Sequence, residues 1–191
     1  LKEDLSQVES YWLQQLQCNN EQVLALLMKQ YYTDLYNYAA RLSPDESMIK
    51  DCIQEVFISL WQRRDSATAI LSIRYYLLRA VKNKVLKALY YNNRKASPVH
   101  LQAAYSFSYE FSIEKLIIDQ QVSEEKAAKL KRTLSQLSKR QQEVIYLKFY
   151  QHLDHEQIAE LMGISRQSVY NLLHETIQKL RNLWHTEFVA R

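Results

Sequence analysis

Asp154-His-Glu-Gln-Ile-Ala-Glu-Leu-Met-Gly163-Ile-Ser-Arg-Gln-Ser-Val-Tyr-Asn-Leu-Leu173 is the stretch on which the reading of this chain turns. It holds the only glycine of the sequence, Gly163, between two short helical patterns. Asp154 is placed to cap the first helix, and Ile158, Ala159, Leu161 and Met162 give it an apolar face. Gly163 is placed to end that helix, because glycine takes the left-handed conformation without a Cβ clash. Ser165 then caps a second helix with an inner face of Val169, Leu172, Leu173, Ile177 and Leu180. Two helices joined by a tight glycine turn predict a helix-turn-helix, a motif whose second helix enters the DNA major groove. At about 100° per residue, Arg166, Gln167, Tyr170, Asn171 and His174 share one polar arc of that helix. Arg, Gln and Asn can pair with guanine or adenine edges. An ordinary helical hairpin with a solvated face is the plainer alternative.

Working outward, one glycine and two prolines in 191 residues leave little material for tight turns, so hairpin and sandwich folds are not expected. The natural reading is an all-α chain of two small helical domains joined by a linker, the C-terminal one a helix-turn-helix. The net charge of +4 is modest, but it is unevenly spread. From Ser66 to Tyr109 there is no Asp or Glu, whereas Arg74, Arg79, Lys82, Lys84, Lys87, Arg94 and Lys95 fall in that span. Such segregation predicts a polyanionic partner. Cys18 and Cys52 lack metal spacing and suit a reducing, cytoplasmic compartment. No signal peptide and no run long enough to insert in a membrane are expected.

The apolar pattern predicts helices over Leu5–Leu16, from Asn20 through Leu42, and from Ser43-Pro44-Asp45-Glu46 through Trp61. For the third, Ser43 is the expected cap, with Pro44 in the first helical position. Arg63–Thr68 breaks the pattern, and periodicity resumes from near Ile70 to Tyr91. Residues 1–95 are thus expected as one domain and 125–191 as another. Between them, 96–124 reads as a linker that carries Pro98 and the aromatics Tyr105, Phe107, Tyr109 and Phe111, with helix resuming near Ile113. Ser138 with Gln141 predicts a capping box.

Two segments resemble one family. Asp51-Cys-Ile-Gln54-Glu55-Val-Phe57-Ile-Ser-Leu60-Trp61 resembles the D-x-x-Q-E-x-F-x-x-L-W signature of bacterial sigma factors. Leu137-Ser-Lys-Arg-Gln-Gln-Glu-Val-Ile-Tyr-Leu147, followed by Ile158-Ala159, Gly163-Ile-Ser165, Val169 and Leu180-Arg181, is similar to the C-terminal domain of the same family. Order, spacing and length resemble the extracytoplasmic-function (ECF) group of the sigma-70 family, over about residues 20–95 and 125–185. The resemblance implies a protein without catalysis or cofactor. It would bind core RNA polymerase, carry it to promoters and help melt the minus-ten element. An anti-sigma factor or a recruiting protein would be a further partner.

The resemblance also implies sites. Asp51, Gln54, Glu55, Phe57, Leu60 and Trp61 would dock on the largest polymerase subunit, polar groups pairing and apolar ones anchoring, although some of Phe57, Leu60 and Trp61 are expected in the core in any case. Tyr76, Arg79, Asn83, Lys87 and Tyr90 form a stripe that would hold minus-ten DNA, with Lys82 counted among them; cations suit phosphates and tyrosines suit unpaired bases. The loop Arg63–Thr68, with residues to Ser72, stands where the family captures a flipped base. Ser165, Arg166, Gln167, Tyr170, Asn171 and His174 would contact the minus-thirty-five element. Two departures stand out. Lys87 and Tyr90 occupy positions that are often acidic or Arg, and Gln151-His152-Leu153 stands where a glycine is common.

The rival reading is a helix-turn-helix regulator with a helical effector- or partner-binding N-terminal domain. Residues 1–112 offer neither a phospho-acceptor pattern nor glycine turns. No metal site is expected from the five histidines (His100, His152, His155, His174, His185), and no glycine loop for phosphate is present.

Overall fold

The computed structural model describes residues 2–92, 107 and 124–189. Among these, all regular structure is helical, as the scarcity of turn formers predicts. The chain forms two compact units, Leu1–Tyr105 and Ser106–Arg191.

The first unit contains α1 (Lys2–Gln17), α2 (Glu21–Ala39), α3 (Glu46–Gln62), a 3-10 turn (Arg64–Ala69) and α4 (Ile73–Asn92). Asn20 opens α2 as expected, its side-chain oxygen accepting from the Gln22 amide at 3.1 Å. The start of α3 differs from the expectation. The cap is Asp45, whose carboxylate accepts from the Met48 amide at 3.0 Å, and Pro44 lies before the helix. Ser43 is buried and accepts from the Asp45 amide at 3.2 Å, bracing the cap. The break predicted after Trp61 is the 3-10 turn, and α4 starts only at Ile73.

The core of this unit is one apolar stripe from each helix: Leu13 and Leu16 from α1, Leu27, Leu35 and Tyr38 from α2, Ile49, Ile53, Phe57 and Leu60 from α3, and Ile73, Leu77, Val81 and Val85 from α4. Each fully buried side chain of this kind stabilises the unit by about 1.5–3 kcal/mol. A polar cluster ties three helices together at its edge. The Tyr31 hydroxyl donates to the Glu9 carboxylate at 2.6 Å, and Arg74 pairs with Asp34 at 2.7 Å while lying over the Tyr31 ring.

The second unit contains α5 (Glu124–Ser135), α6 (Lys139–Ile145), a π-helical turn (Tyr146–Tyr150), α7 (His155–Met162) and α8 (Arg166–Val189). The capping box of Ser138 and Gln141 is formed. The stretch 96–124 lies outside the described residues except for Phe107 and Glu124, so Tyr105, Tyr109, Phe111 and the helix start at Ile113 do too. Phe107 is buried, and its ring meets Tyr146 with centroids 5.9 Å apart. Tyr146 is itself buried; its hydroxyl accepts from Gln151 at 2.8 Å and its ring stacks on Tyr150.

Candidate nucleic-acid interface

The helix-turn-helix is assembled by short-range hydrogen bonds. Asp154 accepts from the amides of Glu156 and Gln157, both at 2.9 Å, and Gln157 returns a bond by accepting from the Asp154 amide at 3.1 Å. The carboxylate thus satisfies two amides that a helix start leaves unpaired. Gly163 ends α7 at φ 63°, ψ 39°. The Ile164 amide then donates back to the Ala159 carbonyl at 3.0 Å, closing a Schellman turn. Ile158, Ala159, Leu161 and Met162 are all buried, as their spacing requires. The turn before α7 solves without glycine what glycine solves elsewhere: His152 takes φ 56°, and the Leu153 amide reaches back to the Leu147 carbonyl at 3.1 Å.

Residues Ser165, Arg166, Gln167, Tyr170, Asn171 and His174 are all exposed on the first turns of α8. Ser165 has a structural duty there: its hydroxyl accepts from the Ser168 amide at 3.1 Å. Gln167 donates to Asn171 at 3.0 Å, so the two amides are held side by side before any ligand arrives. His155 of α7 stands edge-on to the Tyr170 ring. On the inner side, Val169 and Leu173 are buried but Leu172, Ile177 and Leu180 are only half-buried. Thr176, which the apolar pattern passes over, is as fully buried as Val169; its hydroxyl donates to the Leu172 carbonyl. Lys179 donates to the Gln136 carbonyl at 2.9 Å.

In the first unit the outer face of α3 is narrower and more polar than the motif suggested. Asp51, Gln54 and Glu55 are exposed, and Trp61 is half-buried under the Arg64 guanidinium, 4.8 Å from its ring centre. Phe57 and Leu60 are corrected: at 2% and 1% exposure they are core, because the motif's apolar positions fall on the helix arc that faces α2 and α4. The apolar group left on the outer arc is Ile58, four residues after Gln54 and 46% exposed. Helical spacing from Gln54 was the signal that could have found it.

The neighbouring α4 carries the basic stripe. Arg79, Asn83 and Lys87 are exposed, and Tyr76 and Tyr90 are half-buried. The Tyr91 ring lies beside both Lys87 and Tyr90. Lys82 is corrected: it is 3% exposed. It sits one position off the stripe, on the arc of Leu78, Val81 and Val85, and so turns inward. Lys84 bridges to Glu55 at 2.6 Å, joining α4 to the outer face of α3. At the N-terminal end of α4 the chain leaves the 3-10 turn through half-buried Ile70 and Leu71, which is 100% exposed.

The loop ahead of Leu71 is held from α1. Gln17 donates to the Asp65 carbonyl at 2.9 Å, and the Arg64 guanidinium donates to the Asn19 side chain and, at 3.0 Å, to the Trp61 carbonyl. Among the described residues no group of His, Cys, Asp or Glu could hold a metal ion, and no helix is long and apolar enough to cross a membrane.

Residues 27–95 match Sigma-70 region 2, and residues 127–180 match Sigma-70, region 4. The chain belongs to the sigma-70 family. Region 2 precedes region 4 along the chain, and residues 96–126 lie between them. As a sigma factor it directs RNA polymerase to promoters, and it binds DNA and polymerase rather than acting as an enzyme.

Solved structures agree in fold. CnrH, determined with the cytosolic domain of CnrY, superposes with a TM-score of 0.55 at 20% identity, covering 93% of this chain and 97% of CnrH. The sigma factor RpoE of Bartonella quintana, determined with the anti-sigma factor NepR, gives 0.54 at 17% identity, covering 84% of this chain and 96% of RpoE. No curated protein sequence matches the chain. Family membership sets aside the effector-domain regulator, since region 2 occupies the place where an effector domain would stand.

Proposed function

We propose that this sigma factor docks on core polymerase through Asp51, Gln54, Glu55 and Ile58 of α3. It holds the minus-ten strand on Arg79, Asn83, Lys87, Tyr76 and Tyr90 of α4, with the 64–71 loop receiving a flipped base. It reads the minus-thirty-five element with Arg166, Gln167, Tyr170, Asn171 and His174. The observation that carries the reading is the division of the two exposed faces of the first unit. The α3 face combines carboxylates, an amide and one apolar residue, a composition suited to a protein partner. The α4 face combines cations, an amide and tyrosines, a composition suited to an unpaired strand. It works in the cytoplasm. An anti-sigma factor or a recruiting protein controls it, as the pairing of RpoE with NepR suggests.

Two measurements test this. Gln54→Ala with Glu55→Ala weakens binding to core polymerase while leaving the melting temperature nearly unchanged, because both residues are exposed and the solvent-exposed Glu55–Lys84 pair that is lost contributes less than about 1 kcal/mol. Unchanged binding, or unfolding, rejects the docking face. Asn83→Ala lowers open-complex formation on a duplex promoter more than on a template already unpaired at the minus-ten site, read by permanganate reactivity. Equal losses on both templates reject the melting role.

A further inference from the structure

The 64–71 loop is shaped by a part of the chain that lies outside both matched regions. The match to region 2 begins at residue 27, whereas the contacts that hold the loop come from Gln17 at the end of α1 and from Asn19, two residues beyond it. Three features converge there. Gln17 donates to a loop carbonyl, that of Asp65, at 2.9 Å. Asn19 stands at φ 61°, a left-handed backbone that turns its side chain toward Arg64. Arg64 is in turn fixed by the Trp61 carbonyl and the Trp61 ring. Beneath these contacts Leu16 and Ala67 are buried, so the loop is seated on α1 rather than merely near it. On its far side Thr68, Ala69 and Leu71 are exposed. A loop fixed on one side and bare on the other presents a preformed edge, and preformed edges lose less freedom when a ligand binds.

We infer that Gln17 and Asn19 are positioning residues for the base-receiving edge of the 64–71 loop, acting through the Asp65 carbonyl and Arg64. The inference rests on the proposed reading of this loop. The contact with the base falls to the exposed far side, where Leu71 offers an apolar surface of the kind that wedges against unstacked bases. Gln17 and Asn19 themselves touch no DNA.

Asn19→Gly separates the side chain from the backbone, since glycine accepts the positive φ while losing the acceptor for Arg64. Asn19→Asp keeps an acceptor and tolerates that φ. Holoenzymes of the parent, Asn19→Gly, Asn19→Asp and Gln17→Ala are compared on promoters carrying each base at the minus-ten positions. Open-complex yield, core-polymerase affinity and hydrogen exchange of amides 64–69 are the readouts. The expected result has four parts. Base discrimination falls about threefold to tenfold for Asn19→Gly and for Gln17→Ala, the scale of one lost hydrogen bond. Loop amides exchange faster, core affinity is unchanged, and Asn19→Asp restores parent behaviour.

Parent-like discrimination in Asn19→Gly and Gln17→Ala overturns the positioning role. So does a matching loss of core affinity and melting temperature, which would mark a general loss of structure. A parent holoenzyme that opens promoters without regard to minus-ten bases overturns the reading of the loop and, with it, this inference. Leu71→Ser, with parent core affinity and reduced base discrimination, separates the contact from its support; undiminished discrimination removes Leu71 from the edge.

Discussion

In the second unit the proposed DNA-facing surface is built within a span of about twenty residues, from partners three to five positions apart: Asp154 with Gln157, Ala159 with Ile164, Ser165 with Ser168, Gln167 with Asn171. In the first unit the corresponding surfaces are set by distant partners: Glu55 with Lys84, Asp34 with Arg74, Gln17 with Asp65. A surface of the first kind is written in local sequence. One of the second kind depends on which arc of each helix the core claims.

The sharpest test of that contrast uses neighbouring residues. Phe57→Ala should cost the first unit about 3–5 kcal/mol, as truncation of a buried aromatic does. Ile58→Ala should change stability by less than about 0.5 kcal/mol while lowering affinity for core polymerase. Denaturant melts and a core-binding assay read both, and equal destabilisation would break the assignment of arcs. Next in size, Arg166→Ala should relax preference at the minus-thirty-five element by about 1–3 kcal/mol for the base it contacts, measured by footprinting on promoter variants.

In the full chain, Gly163→Ala forces a Cβ into the left-handed turn and should destabilise the second unit by about 1–2 kcal/mol, leaving the unfolding of the first unit unaffected. A shift in both would show that the two units do not melt independently. The smallest effect concerns pH. Burial, then the hydrogen bond and charge of Glu9, push the Tyr31 phenol well above its ordinary value of 10.0. A raised folded-state pKa means that its contribution is complete below pH 10.0 and is lost as pH climbs above that value. The parent should therefore lose stability above pH 10.0 more steeply than Tyr31→Phe does, in thermal melts at stepped pH.

The same contrast explains what was legible beforehand. The caps at Asn20, Ser138 and Asp154, the left-handed Gly163 and the exposed face of α8 follow from short-range chemistry and could be read residue by residue. Asp45 displaced Ser43 as the cap of α3, a choice between adjacent candidates that propensity does not resolve. Motif membership does not say which of Phe57, Leu60 and Trp61 the core claims, and a basic stretch does not say which cation turns inward; tertiary packing buries Phe57, Leu60 and Lys82. Ile58 was inside the motif and unmarked by it, yet it is the apolar residue the core leaves out. The support given by Gln17 and Asn19 to the loop spans more than forty positions, beyond the reach of any periodicity.

His152 and Asn19 take left-handed backbone that would suit glycine, at φ 56° and 61°. Each forgoes the conformational ease of glycine in the native state. Each also narrows the range of shapes open to the denatured chain, which glycine would widen. The two effects oppose one another, so His152→Gly should leave the folding equilibrium of the second unit close to its starting point. A chain with a single glycine thus draws part of its stability from the poverty of its unfolded ensemble.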